Sequence, residues 1–317
     1  MANFSADTPI QLIKLARPVH WVKNLGIFAA LVFSGGLMDP IQFKTVFWAF
    51  LAFSLLASGI YIINDIFDVE RDRAHPRKKN RPIASGKIPV WMAAVVAATL
   101  LSTALVWAEA ISHFFFILLS IYVVMQIAYS VALKHIHVVD ILIIAAGFVI
   151  RVYSGAFIIE AHLSVWFLLC VISVALFLAA GKRRAEYGSL GGAGETRKSL
   201  AGYSRELLNS YVTMFGNAAW MSWALFTFYE SPRVVTNLWI FLAELSNTAS
   251  INKLLMITIP VTIFGIMRYE SLIFAERSEA PEKLLLTDKG LIISVFIWVF
   301  LVVWILYGGV ATYSAAI

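Results

Sequence analysis

Long apolar stretches alternate with short polar segments along almost the whole chain. The apolar stretches cover residues 22–40, 44–64, 88–108, 112–133, 139–159, 163–181, 209–230, 252–270 and 289–313. Each holds about 17 to 25 residues, which is enough for a helix to cross a hydrocarbon layer of about 30 Å. Because a lipid core offers no water to satisfy backbone polar groups, such stretches are expected to be helical. The pattern therefore predicts an all-α integral membrane protein with about nine transmembrane helices.

Composition and charge agree with this prediction and add an orientation. Of the 317 residues, 60% are hydrophobic and 14% are charged, whereas soluble domains are about half apolar and a quarter charged. Lys and Arg concentrate in alternate polar segments, at 71–87, 134, 182–205 and 277–289. By the positive-inside rule, these segments and the N-terminus lie in the cytoplasm. We expect a single membrane domain over 1–317 in the inner or plasma membrane, with a cytoplasmic segment at 1–21 and a nine-helix core at 22–313.

The net charge and the cysteine content exclude several kinds of function. The net charge of +6 comes from residues that flank the apolar stretches. A lipid bilayer and phosphorylated substrates therefore explain it better than nucleic acid does. The single cysteine, Cys170, lies within an apolar stretch, which excludes an internal disulfide and a thiolate metal cluster. The oligomeric state stays open, and a homo-oligomer is one option.

A polar block interrupts the apolar pattern directly after the second stretch. If a helix continues through it, a rotation of about 100° per residue places Asn64, Asp65, Asp68 and Asp72 within about one third of the helix circumference. Carboxylates on one face repel each other unless a cation lies among them. Oxygen ligands at this loose spacing suit Mg²⁺ that bridges to substrate phosphates. The block predicts a Mg²⁺-diphosphate site with these four residues as ligands, and the alternative is a solvated loop beside the membrane.

Other candidate residues lie near the ends of the apolar stretches. Lys78 and Arg81 follow the acids and either clamp an anion or simply anchor the loop. Arg151 lies inside an apolar stretch, eleven residues after Asp140, and an intramembrane arginine normally has a substrate or a structural partner. The remaining candidates are Lys23 and Asn24 at the first stretch, Tyr129 and Lys134 after the fourth, Lys182, Arg183, Glu186 and Tyr203 after the sixth, and Arg268 in the eighth.

Taken together, these residues resemble the signatures of the UbiA superfamily of intramembrane prenyltransferases. The acidic block is similar to its first motif, N-D-x-x-D-x-x-x-D. Within the superfamily, residues 12–310 are similar to the decaprenyl-phosphate phosphoribosyltransferase subgroup. This likeness is carried by Arg17-Pro18…Trp21…Lys23-Asn24, His75-Pro76…Lys78…Arg81-Pro82…Gly86, Tyr129…Leu133-Lys134…Asp140 to Arg151, Gly181-Lys182-Arg183…Glu186, Arg197-Lys198-Ser199-Leu200…Tyr203 and Arg268-Tyr269. The resemblance implies nine helices around a central cavity that opens to the cytoplasm.

The resemblance also implies a reaction between two phosphorylated substrates. Where the superfamily usually has a second aspartate-rich motif, this chain has Lys182, Arg183 and Glu186, which favours a second anion over a second metal cage. The implied donor is phosphoribosyl diphosphate, the acceptor a polyprenyl phosphate and the cofactor Mg²⁺. The implied products are pyrophosphate and polyprenyl-phosphoryl-5-phosphoribose for cell-envelope polysaccharide synthesis. The implied catalytic residues are Asp65, Asp68, Asp72 and Glu186, and the implied substrate-binding residues are Arg17, Lys23, Asn24, Lys78, Arg81, Tyr129, Lys134, Asp140, Arg151, Lys182, Arg183, Tyr203 and Arg268.

Two other functions remain as alternatives. An aromatic prenyltransferase of quinone or haem biosynthesis would share the fold, but the missing second acidic motif argues against it. A secondary transporter would place ionisable groups at mid-membrane, whereas the charges here gather near the cytoplasmic ends of the stretches. The chain length of the acceptor and the number of Mg²⁺ ions do not follow from the sequence.

Overall fold

The fold of the chain was taken from a computed structural model, which describes residues 8–74, 78–189, 202–230, 251–275, 284 and 287–308. All regular elements in these ranges are helical. The α-helices are α1 (Thr8–Ala16), α2 (Phe28–Phe33), α3 (Pro40–Phe67), α4 (Val69–Ala74), α5 (Val90–Ile111), α6 (His113–Val131), α7 (Val139–Ile158), α8 (Val165–Ser189), α9 (Arg205–Tyr229), α10 (Ile259–Phe274) and α11 (Lys289–Tyr307). Two longer 3₁₀ segments are Pro18–Ile27 and Ile251–Thr258.

Seven helices within the described ranges are long and apolar enough to cross a membrane. They correspond to seven of the nine predicted spans. The prediction of one continuous span at 22–40 is wrong, because the chain there forms the 3₁₀ segment Pro18–Ile27, the short α2 and a 3₁₀ turn at Gly36–Met38. The span predicted at 209–230 does form a helix, α9, whose polar residues keep it outside the seven. Much of the basic segments predicted at 182–205 and 277–289, and residues 231–250 between two predicted spans, lie outside the described residues.

Polar caps fix where several of these helices begin. Asp39 accepts hydrogen bonds from the amides of Ile41 at 2.8 Å and Gln42 at 3.3 Å, which satisfies N–H groups that have no partner inside the first turn of α3. Asp288 accepts from the Leu291 amide at 3.0 Å at the start of α11. The two capping residues therefore define where α3 and α11 begin.

The chain divides into two compact units, and the first is built around α3. It comprises Met1–Leu31, Leu37–Lys134 and Ile150–Ala161. Within it, α3 packs against α1, α5, α6 and the 3₁₀ segment. Gly59 of α3 lies where an added Cβ would come within 2.9 Å of Leu101 on α5, so the small residue permits close packing of the two helices. One buried cluster of this unit contains Ile27, Leu31, Val46, Ala49, Ala52, Phe53, Leu56, Ile60, Ala104, Ala108, Phe115, Leu119 and Tyr122, and another contains Leu15, Ile62, Ile83, Ile88, Ala93 and Ala97.

The second unit is built around α8 and α9. It comprises Val32–Gly36, His135–Val149 and His162–Ile317, so the first part of α7 belongs to it and the last part belongs to the first unit. Helix α8 packs along α9, and α10 packs against α8, α9 and α11. Its two buried clusters contain Phe177, Ala180, Ala185, Val212, Tyr269, Leu272, Ile273, Leu284 and Leu291, and Ile141, Ala179, Tyr203 and Leu208.

Candidate functional site

The predicted metal ligands lie at the end of α3, where the helix is interrupted for one residue. Helix α3 ends at Phe67, and Asp68 has φ −96° and ψ 7° before α4 begins at Val69. The backbone nevertheless keeps helical spacing, because the Asp68 amide donates to the Asn64 carbonyl at 3.0 Å and the Asp72 amide donates to the Asp68 carbonyl at 2.8 Å. The structure thus keeps the four predicted ligands in nearly helical register across the break.

Two of the three carboxylates are joined by arginines. Both oxygens of Asp65 accept hydrogen bonds from Arg17 at 2.6 Å. Arg81 donates from one nitrogen to Asp65 at 2.9 Å and to Asp72 at 2.6 Å. The carboxylate side chains are nearly inaccessible, with exposed fractions of 2% for Asp65 and 4% for Asp72. Burying carboxylates without cations would be costly, so the arginines explain how two acids remain buried side by side.

The third carboxylate is more accessible. Asp68 has an exposed side-chain fraction of 19% and accepts a hydrogen bond from the Lys134 ammonium at 2.8 Å. Arg71, one turn further along, lies 3.4 Å from the same oxygen. Asn64 is half-buried. Folding therefore brings Arg17, Arg81 and Lys134 from three separate segments onto the acidic stretch.

This donor set fits Mg²⁺ that is shared with a substrate, not a closed metal cage. Within the described part of the chain, no group of three or more His, Cys, Asp or Glu side chains is close enough to hold a metal ion alone. Mg²⁺ in nucleotide and diphosphate sites is commonly held by one or two carboxylates together with substrate phosphates and water. Oxygen donors in register at Asn64, Asp65, Asp68 and Asp72 meet that requirement.

The 3₁₀ segment Pro18–Ile27 carries two of the predicted substrate-binding residues, Lys23 and Asn24, and a third, Arg17, directly precedes it. Arg17 has a φ of 52°, which is unusual for a residue with a side chain. Lys23 is half-buried, whereas Asn24 is only 1% exposed. A 3₁₀ run of ten residues is longer than such helices normally persist by themselves, so tertiary contacts are needed to hold it.

Arg151 makes a tertiary contact of this kind near the C-terminal end of the segment. Its Nε donates to Asn24 Oδ1 at 2.8 Å and its Nη2 donates to the Tyr122 hydroxyl at 2.7 Å. The guanidinium carbon lies 5.3 Å from the ring centroid of Phe53 and 5.1 Å from that of Tyr122. Asn24 in turn donates to Ser54 of α3 at 3.0 Å. With 5% exposure, Arg151 is built into the packing between the 3₁₀ segment, α3, α6 and α7.

In the second unit, four predicted residues form one buried network. The Arg183 Nε lies 2.5 Å from Asp140 Oδ2, and another nitrogen of the same guanidinium contacts Glu186. The Tyr203 hydroxyl donates to Asp140 Oδ1 at 2.8 Å. Burial raises the pKa of Tyr203, and this effect outweighs the hydrogen bond from the Val138 amide, which lowers it. The tyrosine therefore stays protonated and able to donate.

Arg268 pairs with a residue that the sequence analysis did not single out. Its Nε and Nη2 donate to the two oxygens of Asp288 at 3.1 and 2.8 Å. These hydrogen bonds, followed by the one from the Leu291 amide, lower the pKa of Asp288 to about 2. The position of Asp288 directly before the apolar stretch at 289–313 is an N-cap signal that could have identified it. Tyr122, which lies within an apolar stretch, carries no such local signal.

The remaining predicted residues differ in their exposure to solvent. Tyr129 and Lys182 are half-buried and Lys78 is exposed. Arg77, Arg197, Lys198 and Ser199 lie outside the described residues. The buried Arg184 donates to Asn209 at 2.6 Å, a contact between α8 and α9 that the sequence analysis did not predict.

The chain was compared with protein families, curated proteins and solved structures. Residues 25–192 match the model of the UbiA prenyltransferase family. The chain is 36% identical over 293 residues to the decaprenyl-phosphate phosphoribosyltransferase of Mycolicibacterium smegmatis, covering 91% of this chain and 90% of the relative. It is 33% identical to the enzyme of the same name from Mycobacterium tuberculosis, with 91% of both chains covered.

The fold is similar to that of a solved family member. The structure of a UbiA homolog from Archaeoglobus fulgidus bound to GPP and Mg²⁺ matches with a TM-score of 0.67 at 19% identity, covering 93% of this chain and 98% of that one. At this identity the match concerns the fold alone. Together, the family match and the relatives that align over nine tenths of its length show that the chain belongs to the UbiA prenyltransferase family and is a membrane-embedded transferase.

Proposed function

We propose that the enzyme transfers the 5-phosphoribosyl group from phosphoribosyl diphosphate to a polyprenyl phosphate and releases pyrophosphate. The observation that carries the proposal is identity of 33% to 36% over 91% of the chain to proteins named decaprenyl-phosphate phosphoribosyltransferase. The polar chemistry of each unit supports it. The first unit has an acidic stretch in contact with arginine and lysine side chains, and the second has the partly exposed Glu186 in contact with Arg183. The product would supply ribose-derived donors for cell-envelope polysaccharide.

The donor diphosphate is assigned to the acidic stretch at the end of α3. Asp65, Asp68, Asp72 and Asn64 would hold Mg²⁺, which supplies positive charge to stabilise the departing diphosphate when it is bound. Asp68 is the most exposed of the three acids, so we expect it to be the most sensitive position. The site is placed on the cytoplasmic side because the loops that carry these residues are the basic ones.

Cations that contact that stretch are assigned to the donor's phosphates. Arg17, Arg81 and Lys134 make charged hydrogen bonds to the carboxylates, and Arg17 and Arg81 keep accessible surface, with side-chain exposures of 20% and 27%. Lys23, which is half-buried, and Lys78, which is exposed, add further positive charge. Planar guanidinium groups suit phosphate oxygens especially well. Asn24 and Arg151 make their hydrogen bonds to each other, to Ser54 and to Tyr122, away from the acidic stretch, and we assign them to holding the 3₁₀ segment.

Bond formation requires little acid-base chemistry from the protein. The acceptor phosphate is already an anion at neutral pH, so its oxygen can attack C1 of the ribose while the bond from C1 to the diphosphate oxygen breaks. No obligatory general base is proposed. Positive charge that develops at C1 would be met by the incoming phosphate and by Glu186, whose side chain is 24% exposed. Asp140 is fully buried, so we do not assign it to stabilising charge at C1. Lys182 is assigned to binding the acceptor phosphate.

A radiolabel assay with purified protein tests the proposal. Detergent-solubilised enzyme should transfer label from phosphoribosyl diphosphate to decaprenyl phosphate when Mg²⁺ is present. Transfer of a prenyl chain to an aromatic acid instead would favour the quinone or haem pathway. Flux of a solute without any chemical product would favour a transporter.

The acidic stretch can be tested with a matched pair of substitutions in the same helix. Asp68→Asn should reduce turnover by at least about 100-fold, the scale of losing one charged interaction made in the transition state. Asp39→Asn removes a carboxylate at the other end of α3 but keeps a good cap, and it should retain activity. Full activity of Asp68→Asn would remove the acidic stretch from the reaction.

A further inference from the structure

We propose that Tyr203, Asp140 and Arg183 are positioning residues that connect a strained backbone at Val138 to Glu186. The inference rests on the proposed function for the role of Glu186, and it changes what the sequence assigned to the other three. The resemblance implied that Tyr203, Asp140 and Arg183 bind substrate. Their burial and their hydrogen bonds indicate that they act through Glu186 instead.

The first element of this network is an unusual backbone conformation. Val138, just before α7, has a φ of 68°. A β-branched residue in the left-handed region is a genuine outlier, since its Cβ crowds the neighbouring carbonyl oxygen. Such conformations persist only where surrounding contacts hold them, and they concentrate at functional sites. Val138 is 39% exposed, so core packing around its side chain is not what holds it.

The Tyr203 hydroxyl holds the amide side of Val138, whose carbonyl accepts from the Ile141 and Leu142 amides at 3.1 and 3.0 Å. The hydroxyl accepts a hydrogen bond from the Val138 amide at 2.5 Å and donates one to Asp140 Oδ1 at 2.8 Å. Tyr203 is 5% exposed, and its ring meets that of His137 edge to face, with centroids 6.0 Å apart. Gly202 lets His137 approach, because a Cβ there would lie 3.0 Å from the imidazole Nδ1. The tyrosine is therefore fixed from both sides.

Asp140 and Arg183 carry the connection onward to Glu186. Asp140 Oδ1 also accepts from the Ile141 amide at 2.9 Å, and its Oδ2 lies 2.5 Å from the Arg183 Nε. Arg183 then contacts Glu186, three residues later in α8. Asp140 and Arg183 have exposed side-chain fractions of 0%, whereas that of Glu186 is 24%. Of these three charged groups, Glu186 is the one that a substrate can reach.

A single hydroxyl thus contributes to two features of the network. Without it, the Val138 amide loses its partner and only the carbonyl stays hydrogen-bonded, to the Ile141 and Leu142 amides. The left-handed conformation of Val138 is then less firmly held, and Asp140 loses a donor that orients it toward Arg183. Both changes would alter the placement of Glu186 without touching the surface that substrate contacts. The expected kinetic effect is on kcat, with the KM for phosphoribosyl diphosphate little changed.

The decisive experiment combines Tyr203→Phe with Val138→Gly. Tyr203→Phe should lower kcat by about 10- to 100-fold, as expected for loss of a hydrogen bond to a charged group, and leave the donor KM within about twofold. Adding Val138→Gly should recover part of the lost kcat, because glycine adopts a positive φ without strain. Tyr211→Phe removes a hydroxyl from a neighbouring tyrosine whose ring centroid is 6.5 Å from that of Tyr203, and it should behave like the wild type.

Hydrogen exchange provides a measurement that does not depend on the reaction. Exchange at the Val138 amide should be faster in Tyr203→Phe than in the wild type or Tyr211→Phe. An unchanged exchange rate would overturn the proposal, as would a Tyr203→Phe defect confined to KM or one that Val138→Gly does not relieve. If the wild-type protein transfers no phosphoribosyl group, the proposed function is refuted. The exchange measurement would still decide whether Tyr203 holds the Val138 amide.

Two charge-neutralising variants complete the test. Glu186→Gln should reproduce the loss of kcat, and a rate close to wild type would remove Glu186 from the reaction and the network from catalysis. Asp140→Asn should also lower kcat, and combining it with Tyr203→Phe should add little, because residues that act through one network are not additive. Fully additive losses would contradict a shared network.

Discussion

Replacing Arg151 with methionine tests whether this intramembrane arginine binds substrate or holds the fold. The change removes hydrogen bonds to Asn24 and Tyr122 and the contacts with two aromatic faces. Hydrogen bonds from a charged donor contribute about 1.5–3 kcal/mol each, and a desolvated cation–π contact contributes about 0.5–2 kcal/mol. Methionine recovers part of this by packing well and by removing a buried charge. We expect a net destabilisation of about 3–5 kcal/mol.

The magnitude translates into a measurable change in thermal unfolding. For a chain of 317 residues, an unfolding entropy of about 2.1 cal/mol/K per residue makes 1 kcal/mol correspond to about 1.5 °C in Tm. The variant should therefore melt about 4–8 °C below the wild type in detergent without substrate. Arg151→Lys keeps the charge but cannot reach both partners with a planar fork, so it should fall between the two. Lys87→Met removes one positive charge from an exposed position and should change Tm by less than about 1 °C.

The result that would refute this reasoning is equally specific. An Arg151→Met enzyme that melts like the wild type but has a much higher KM for phosphoribosyl diphosphate would make Arg151 a substrate ligand. The measurement must be made without substrate, because ligand binding stabilises the folded state by mass action and would mask the difference.

Three further outcomes are expected. The pKa of Asp288 is lowered from 3.8 to about 2 in the folded protein. The ion pair with Arg268 therefore stabilises the fold above about pH 4, and this stabilisation is lost as the pH falls toward 2. Asp288→Asn should make the melting temperature less sensitive to acid over that range. Gly155→Ala should destabilise the protein by at least about 1–3 kcal/mol, because the added Cβ would lie 1.9 Å from the Ile27 carbonyl oxygen. The control is Gly265→Ala, whose Cβ would meet only the Ser294 hydroxyl oxygen, at 3.5 Å. This control should leave Tm unchanged or higher. Chelation of divalent cations should stop phosphoribosyl transfer, and added Mg²⁺ should restore it; undiminished transfer in excess chelator would contradict the metal requirement.

The sequence predicted most of the helical architecture because hydropathy is a local property. Seven predicted spans correspond to helices of suitable length and composition, and the spacing of the acids at the end of α3 is kept despite the break at Asp68. The first predicted span failed for a physical reason. Arg151 and Asn24 stabilise a 3₁₀ conformation there, and the open position at Gly155 admits the Ile27 carbonyl. These contacts join residues more than a hundred positions apart, which no hydropathy pattern records.

Local sequence patterns did not predict which residues the charged side chains contact. Asp140 and Arg151 lie eleven residues apart in one helix, but Asp140 contacts Arg183 and Tyr203, and Arg151 contacts Asn24 and Tyr122. Tertiary packing decides such pairings, because burying a charge requires a nearby counter-charge or several hydrogen bonds wherever the chain supplies them. Exposure then separates groups that can touch a substrate from groups that hold others in place.

The balance of charge at the end of α3 explains how one acidic stretch could serve a diphosphate donor. Three carboxylates are matched by Arg17, Arg81 and Lys134, so the cluster is close to neutral and stable before substrate arrives. A divalent cation on the carboxylates would weaken their attraction for these three side chains and leave their charges available to phosphate oxygens. The protein would then supply preorganised cations with little rearrangement, which is the most effective form of electrostatic stabilisation. In the proposed reaction the acceptor is already anionic, and a second acidic cage beside it would repel the substrate that it had to bind.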